Sequence, residues 1–274
     1  MKFVIIGLGS IGLRHKNNLE ILGHEVASCH HDDDLEEKIE TEKPNGVLIC
    51  NLTSQHLKTA LQLIKFDLPI FIEKPLSHNL DNIDQLKGNI LVGYCLRFDR
   101  SLIEFKQKIN QEKIQSVKIV CKSWLPDWHP NTDYRQSYSA KKDLGGGVLL
   151  DLSHEIDYAL WFFGQVKLVK AKLQSAPELN IETKAVADLD LEFQNNIRVK
   201  IYLSYASHEP KRYCEIKFKG GKILRWDYQT NNEIYIEEMK HFIKVCQGKE
   251  APLITVTDGI NVLKVIENAK INQI

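Results

Sequence analysis

Lys2-Phe3-Val4-Ile5-Ile6-Gly7-Leu8-Gly9-Ser10-Ile11-Gly12 is an apolar, β-rich run that breaks into three spaced glycines. The run reads as a buried strand. Ile11 to Leu22 has Ile11, Leu19 and Leu22 set among Arg14, His15, Lys16 and Glu20, and reads as a helix stopped by Gly23. In a strand–G-x-G-x-x-G–helix unit each glycine has a mechanical reason. The first permits the tight turn, the second lets the backbone approach a pyrophosphate, and the third lets helix and strand pack closely. The helix N-terminus then faces the phosphates. The pattern implies a dinucleotide held by Gly7, Gly9, Ser10, Ile11 and Gly12.

The same alternation continues outward. Glu25 to Cys29, Gly46 to Cys50, Pro69 to Ile72 and Ile90 to Tyr94 read as strands, with helices at Asp32 to Glu42 and His56 to Phe66 between them. Strands alternating with helices predict a parallel sheet covered on both faces. After a helix at Phe98 to Ile109 the pattern changes. A long strand at Gln115 to Trp124 is followed by a loop rich in Pro, Asp and aromatics. A helix opening at Gly145–Gly147 runs through Phe163. Five strand-like segments between Lys167 and Tyr228 and two closing helices complete the chain. This predicts an α/β domain over residues 1–117 and an α+β domain with a predominantly antiparallel open sheet over 118–274.

Lys plus Arg equals Asp plus Glu at 36 each, so the charge balance advertises neither nucleic acid nor an anionic membrane as partner. No apolar run approaches the roughly 20 residues of a membrane span. The six cysteines are scattered without C-x-x-C or zinc-like Cys/His spacing, which predicts buried free thiols, no metal site and a reducing cytoplasm.

The acid that contacts the adenosine ribose is expected about 20 residues beyond the glycines, which reaches Asp32 in His30-His31-Asp32-Asp33-Asp34. Following the strand's apolar run instead puts His31 at the tip. An acid there favours NAD, and a histidine accepts the NADP phosphate, so both cofactors stay open. Acids also suit a helix start. Asn51-Leu52-Thr53-Ser54-Gln55-His56 follows the third strand, where polar residues line the crevice of an open α/β sheet. Asn51, Thr53 and His56 are therefore cofactor candidates, with Thr53 or Ser54 also suited to capping the next helix.

Four ordered signatures resemble the Gfo/Idh/MocA family of sugar oxidoreductases. They are Gly7–Gly12 with His15, Glu73-Lys74-Pro75 after a strand, Gly93-Tyr94-Cys95-Leu96-Arg97-Phe98 after the next, and Gly145-Gly146-Gly147-Val148-Leu149-Leu150-Asp151 leading into His154 and Asp157. The resemblance implies a Rossmann domain, NAD or NADP as cofactor, a sugar-type substrate, and pairing of chains through the second sheet into a homodimer or homotetramer. It places Lys74 as the proton-transfer group, assisted by His154 and Asp151, with Glu73 and Arg97 beside the cofactor and Pro75 fixing the turn. A lysine partly desolvated beside a positively charged nicotinamide should have a lowered pKa. The plain alternative for Lys74 is an exposed loop lysine.

On a continuous helix Asp151 and His154 lie one turn apart. Many relatives place the histidine four residues after the aspartate; here the interval is three, and Glu155 holds the fourth place. In Trp124-Leu125-Pro126-Asp127-Trp128-His129-Pro130, aromatic faces beside Asp127 suit sugar stacking, and Tyr134 and Arg135 follow closely. Arg97, Arg135, Lys141, Lys142 and Arg212 offer a cationic wall for an acidic or nucleotide-linked sugar. The expected activity is hydride transfer between NAD(P) and a sugar secondary alcohol or ketone. The alternatives are a retained cofactor with net epimerase, lyase or glycosidase outcome, and a non-catalytic dinucleotide or sugar sensor.

Overall fold

Strand β1 (Lys2–Ile6) is flanked in parallel by β2 (Glu25–Cys29) and β3 (Gly46–Ile49), and β4 (Ile70–Glu73) and β5 (Ile90–Gly93) extend the sheet in the order β2-β1-β3-β4-β5. Phe3, Val4, Ile5, Val47, Leu48, Ile49, Phe71 and Ile72 are fully buried. Strands covered on both faces need continuous apolar runs rather than alternation. Helices α1 (Ser10–Ile21), α2 (Leu35–Glu42) and α3 (His56–Leu63) connect successive strands. The computed structural model describes residues 1–273. It forms two units, Met1–Phe98 with Asn231–Ile260 and Asp99–Thr230 with Asn261–Ile274. The first unit thus includes α7 (Glu233–Cys246), which a single cut near residue 117 assigns to the other half, and the division falls within α8 (Val256–Ile271).

α2 begins at Leu35 rather than Asp32 because Asp34 is its cap, accepting from the Glu36 and Glu37 N–H groups at 2.9 and 3.0 Å.

The second unit opens with α4 (Arg100–Gln107) and the long β6 (Ile114–Trp124). It continues through α5 (Val148–Asp151), α6 (His154–Phe163), β7 (Val166–Gln174), β8 (Val186–Phe193), β9 (Arg198–Ser204), β10 (Ala206–Phe218) and β11 (Ile223–Asp227). The sheet order is β11-β10-β6-β9-β8-β7, with β6–β9 parallel and the other pairs antiparallel. Along β8 and β9 burial alternates: Ala187, Leu189, Leu191, Val199, Ile201 and Leu203 are inside, under α5 and α6. Burying each of these larger aliphatic side chains stabilises by about 1.5–3 kcal/mol. β10 is long, and a register shift between Ala206 and Lys211 accommodates Pro210 within it.

The expected single helix over Gly147–Phe163 is two helices. α5 ends at Asp151, Leu152 and Ser153 turn, and α6 starts at His154. Asp151 and His154 therefore stand on either side of a break and are not successive positions of one helix face.

Candidate active site

The glycine turn occupies the carboxyl end of β1, beside β3, where the strand order reverses; that is where open α/β sheets bind ligands. Gly7 has φ +90°, and a Cβ there would meet Asn51 Cα at 2.5 Å. A Cβ on Gly12 would lie 2.0 Å from the Gly7 carbonyl oxygen, so helix and turn touch through bare backbone. Around Gly9, by contrast, a Cβ meets nothing within 4 Å. That side is open, and α1 starts there with no side-chain cap and no acid in its first turn. An uncapped, acid-free helix start beside a backbone-lined opening fits a diphosphate.

Three further segments follow the carboxyl ends of neighbouring strands on this same edge: Asn51–His56 after β3, Lys74 after β4, and Cys95–Phe98 after β5. Asn51 donates from Nδ2 to Thr59 Oγ1 at 3.0 Å. Thr53 is buried and starts a 3-10 turn whose cap position is Leu52. His56 is buried, with Nδ1 2.8 Å from the Pro75 carbonyl oxygen and Nε2 3.1 Å from that of Asn51. Burial holds its pKa below the ordinary histidine value, so the neutral ring donates to one carbonyl. These contacts make His56 a tie between the end of β3 and the Lys74 turn.

Lys74 is half-buried and precedes Pro75 through a cis peptide bond. Its backbone N–H donates to Glu73 Oε2 at 3.0 Å, while Glu73 Oε1 lies 2.6 Å from His15 Nε2. His15 is fully buried and set edge-on to Phe71 at 5.0 Å. Glu73 is thus gripped from two sides, and the residue carrying Lys74 is anchored to it. Arg97 is also buried and pairs with Asp258 at 3.2 Å.

Beyond β2 none of the three acids sits at the strand end. Asp33 accepts the His30 N–H at 2.7 Å and Asp34 caps α2. Asp32 and His31 are exposed and 2.9 Å apart.

The second unit gathers another group. Asp151 is buried and accepts a short hydrogen bond from the hydroxyl of Tyr205, itself fully buried. Burial pushes that hydroxyl well above its ordinary pKa, and the Asp151 charge adds to the effect, so it stays a donor. Trp128 packs edge-on against Tyr205 at 5.3 Å and donates from Nε1 to Ser123 Oγ at 2.9 Å. Trp128, Tyr205 and Asp151 therefore form one chain of contacts. His154 is buried at the start of α6. Trp124 instead faces His208, ring centres 4.0 Å apart, and Asp127 is exposed. Tyr134 donates to the Leu179 carbonyl at 3.0 Å.

The expected cationic wall is largely consumed by the chain's own acids. Arg135 grips Asp133 through two bonds of 2.8 and 2.9 Å, and Lys141 pairs with Glu182 at 2.7 Å. Arg212 lies 2.9 Å from the fully buried Glu155 and over the ring of Tyr228. Glu155, four residues after Asp151, thus serves as the anchor of an ion pair. Tyr205, Asp258 and Glu238 escaped the sequence reading. Only Glu238 leaves a sequence signal, a carboxylate amid the buried Ile234, Met239 and Phe242 of α7.

A parallel sheet with a glycine cradle at its reversal point, followed in the chain by a mixed sheet lined with helices, defines a two-unit dinucleotide-fold protein. Residues 103–224 match the GFO/IDH/MocA C-terminal domain. The chain is 23% identical to myo-inositol 2-dehydrogenase of Thermotoga maritima, across 94% of this chain and 92% of that one. It shares its fold with scyllo-inositol dehydrogenase from Lactobacillus casei, solved with NAD(H) and scyllo-inositol, at TM-score 0.81, 17% identity and coverage of 100% and 96%. WlbA dehydrogenase from Bordetella pertussis, solved with NADH and UDP-GlcNAcA, gives TM-score 0.82 at 14% identity, covering 99% and 95%. Residues 103–224 thus carry a domain of the GFO/IDH/MocA type, and the fold of the whole chain is that of these dehydrogenases.

Proposed function

We propose that the protein is an NAD(P)-dependent oxidoreductase that moves a hydride between its cofactor and a secondary alcohol or ketone on a polyhydroxylated ring. The observation that carries this reading is the single sheet edge in the first unit that presents both the open glycine cradle and Lys74, with Lys74 backed by the anchored Glu73. The nicotinamide, when bound, supplies the hydride acceptor or donor. The α1 N-terminus and the Gly7–Gly12 turn would hold its diphosphate. Lys74 Nζ takes the hydroxyl proton as the carbinol carbon becomes a carbonyl, and returns it in the reverse direction. In the second unit, Asp151, held by Tyr205 with Trp128 packed on that tyrosine, and His154 are side chains suited to hydrogen-bonding ring hydroxyls.

The engaged state of Arg97, Arg135, Lys141 and Arg212 supports a neutral polyol or sugar over an acidic one. Inositols acted on by relatives have that chemistry. The outer face of the second sheet, with Tyr202 partly exposed among charged neighbours, supports self-association into a dimer or tetramer; light scattering at micromolar concentration tests it. Six thiols without a disulfide support a reducing, cytoplasmic setting. Among the described residues no helix is long and apolar enough to cross a membrane.

The activity is tested by following reduced-cofactor absorbance with NAD and NADP against inositol isomers, free sugars and nucleotide sugars. Turnover with a neutral ring polyol is expected. Binding of no dinucleotide at all would remove the proposal.

A further inference from the structure

Glu238, on the buried face of α7, has no exposed surface, and neither of its carboxylate oxygens has a hydrogen-bond partner among the described residues. It lies against the pair beneath Lys74. His15, Glu73 and Glu238 bring one ring nitrogen and two carboxylate oxygens within 4.8 Å of one another. Two buried carboxylates this close do not both ionise; one of them keeps its proton. The partners decide where it resides. Glu73 has those of an anion, the His15 ring at 2.6 Å and the Lys74 N–H at 3.0 Å. Glu238 has none, and an unpaired buried carboxylate is far costlier than a neutral acid.

We propose that Glu238 is held as the neutral acid and so acts as a positioning residue that leaves a single negative charge, on Glu73, under Lys74. The link to Lys74 rests on the role given to that lysine above; the neutral state of Glu238 does not. Burial, followed by the Glu73 charge, pushes the Glu238 carboxyl well above its ordinary range, in agreement with this assignment. A divalent cation fits less well. His15 Nδ1 has no hydrogen-bond partner among the described residues, whereas a metal-bound imidazole almost always donates its second N–H.

The titratable and charged groups on elements packed against α7 are Arg14, His15, Lys16 and Glu20 on α1 and Cys95 and Arg97 on the turn after β5. Glu73 and Lys74 follow from β4, and Cys50, whose thiol is pushed up by burial and then by the Glu73 charge, from the end of β3. A carboxyl whose folded pKa lies above its unfolded one supports folding fully at acid pH, and that support fades as pH rises towards the folded pKa.

Infrared spectra of the intact protein, wild type against Glu238→Gln, give the direct test. The wild type should show a protonated-carboxylic-acid carbonyl band at neutral pH that shifts in D2O and is missing in E238Q. E238Q, an uncharged mimic, should retain turnover and should lose less melting temperature than wild type as pH is raised, whereas Glu238→Ala should lose both stability and turnover. The band should persist in Lys74→Met whatever that variant does to turnover, which separates this inference from the role of Lys74. Absence of the band in wild type, parallel melting profiles for wild type and E238Q, or one chelatable divalent metal per chain would each overturn it.

Discussion

Replacing Arg212 with Met asks whether that guanidinium is a structural partner or a ligand for substrate. Its Nε lies 2.9 Å from Glu155 Oε1, with the Glu155 side chain fully buried and that of Arg212 20% exposed. It also donates to Cys121 Sγ at 3.3 Å and stacks on Tyr228. Removing one member of a buried pair leaves the other charge without compensation and costs about 3–5 kcal/mol. Because water reaches one side of Arg212, the lower end, about 3 kcal/mol, is expected. For a domain of this size each kcal/mol lowers Tm by about 2–4 °C, so the transition should fall by roughly 6–12 °C. Calorimetry on the full chain reads this. The double variant E155Q/R212M should regain more than half of the loss, since removing both charges spares the orphaned carboxylate. KM for a neutral polyol should stay close to wild type in any R212M that remains folded. An R212M protein with unchanged Tm but a KM raised several-fold would refute the reasoning and return Arg212 to the substrate.

Gly12→Ala places a methyl 2.0 Å from the Gly7 carbonyl oxygen, so turn and helix must separate; dinucleotide affinity by calorimetry should fall at least about tenfold, with circular dichroism near wild type. Tyr205→Phe removes the hydroxyl that donates to Asp151, a bond to a charged group worth about 1.5–3 kcal/mol. Its Tm should drop accordingly and its kcat should fall more than its dinucleotide affinity; unchanged kcat would detach Asp151 from the reaction.

The first unit was legible because fully buried parallel strands announce themselves as apolar runs, and because Gly7–Gly12 and Glu73-Lys74-Pro75 are local in sequence. The alternation in β8 and β9 made the second sheet equally plain. What escaped was long-range pairing of polar groups. Nothing near Arg97 points to Asp258, nothing near Asp151 points to Tyr205, and Arg212 reads as a surface base until Glu155 is placed beside it. Such pairs depend on which side chains the fold buries together, a property no local pattern records. The break at Leu152–Ser153 was hidden for the opposite reason: its residues continue the apolar helix pattern, and only the backbone turns.

The central claim, that Lys74 moves the proton while the glycine cradle holds the cofactor, is tested most directly by Lys74→Met. Dinucleotide affinity and turnover should be measured on the same preparation, with a substrate on which wild type is active. Affinity for the dinucleotide should remain close to wild type, and kcat should fall by about 10²–10⁴-fold, the usual contribution of a positioned proton-transfer group. Near-normal turnover in Lys74→Met would contradict the account.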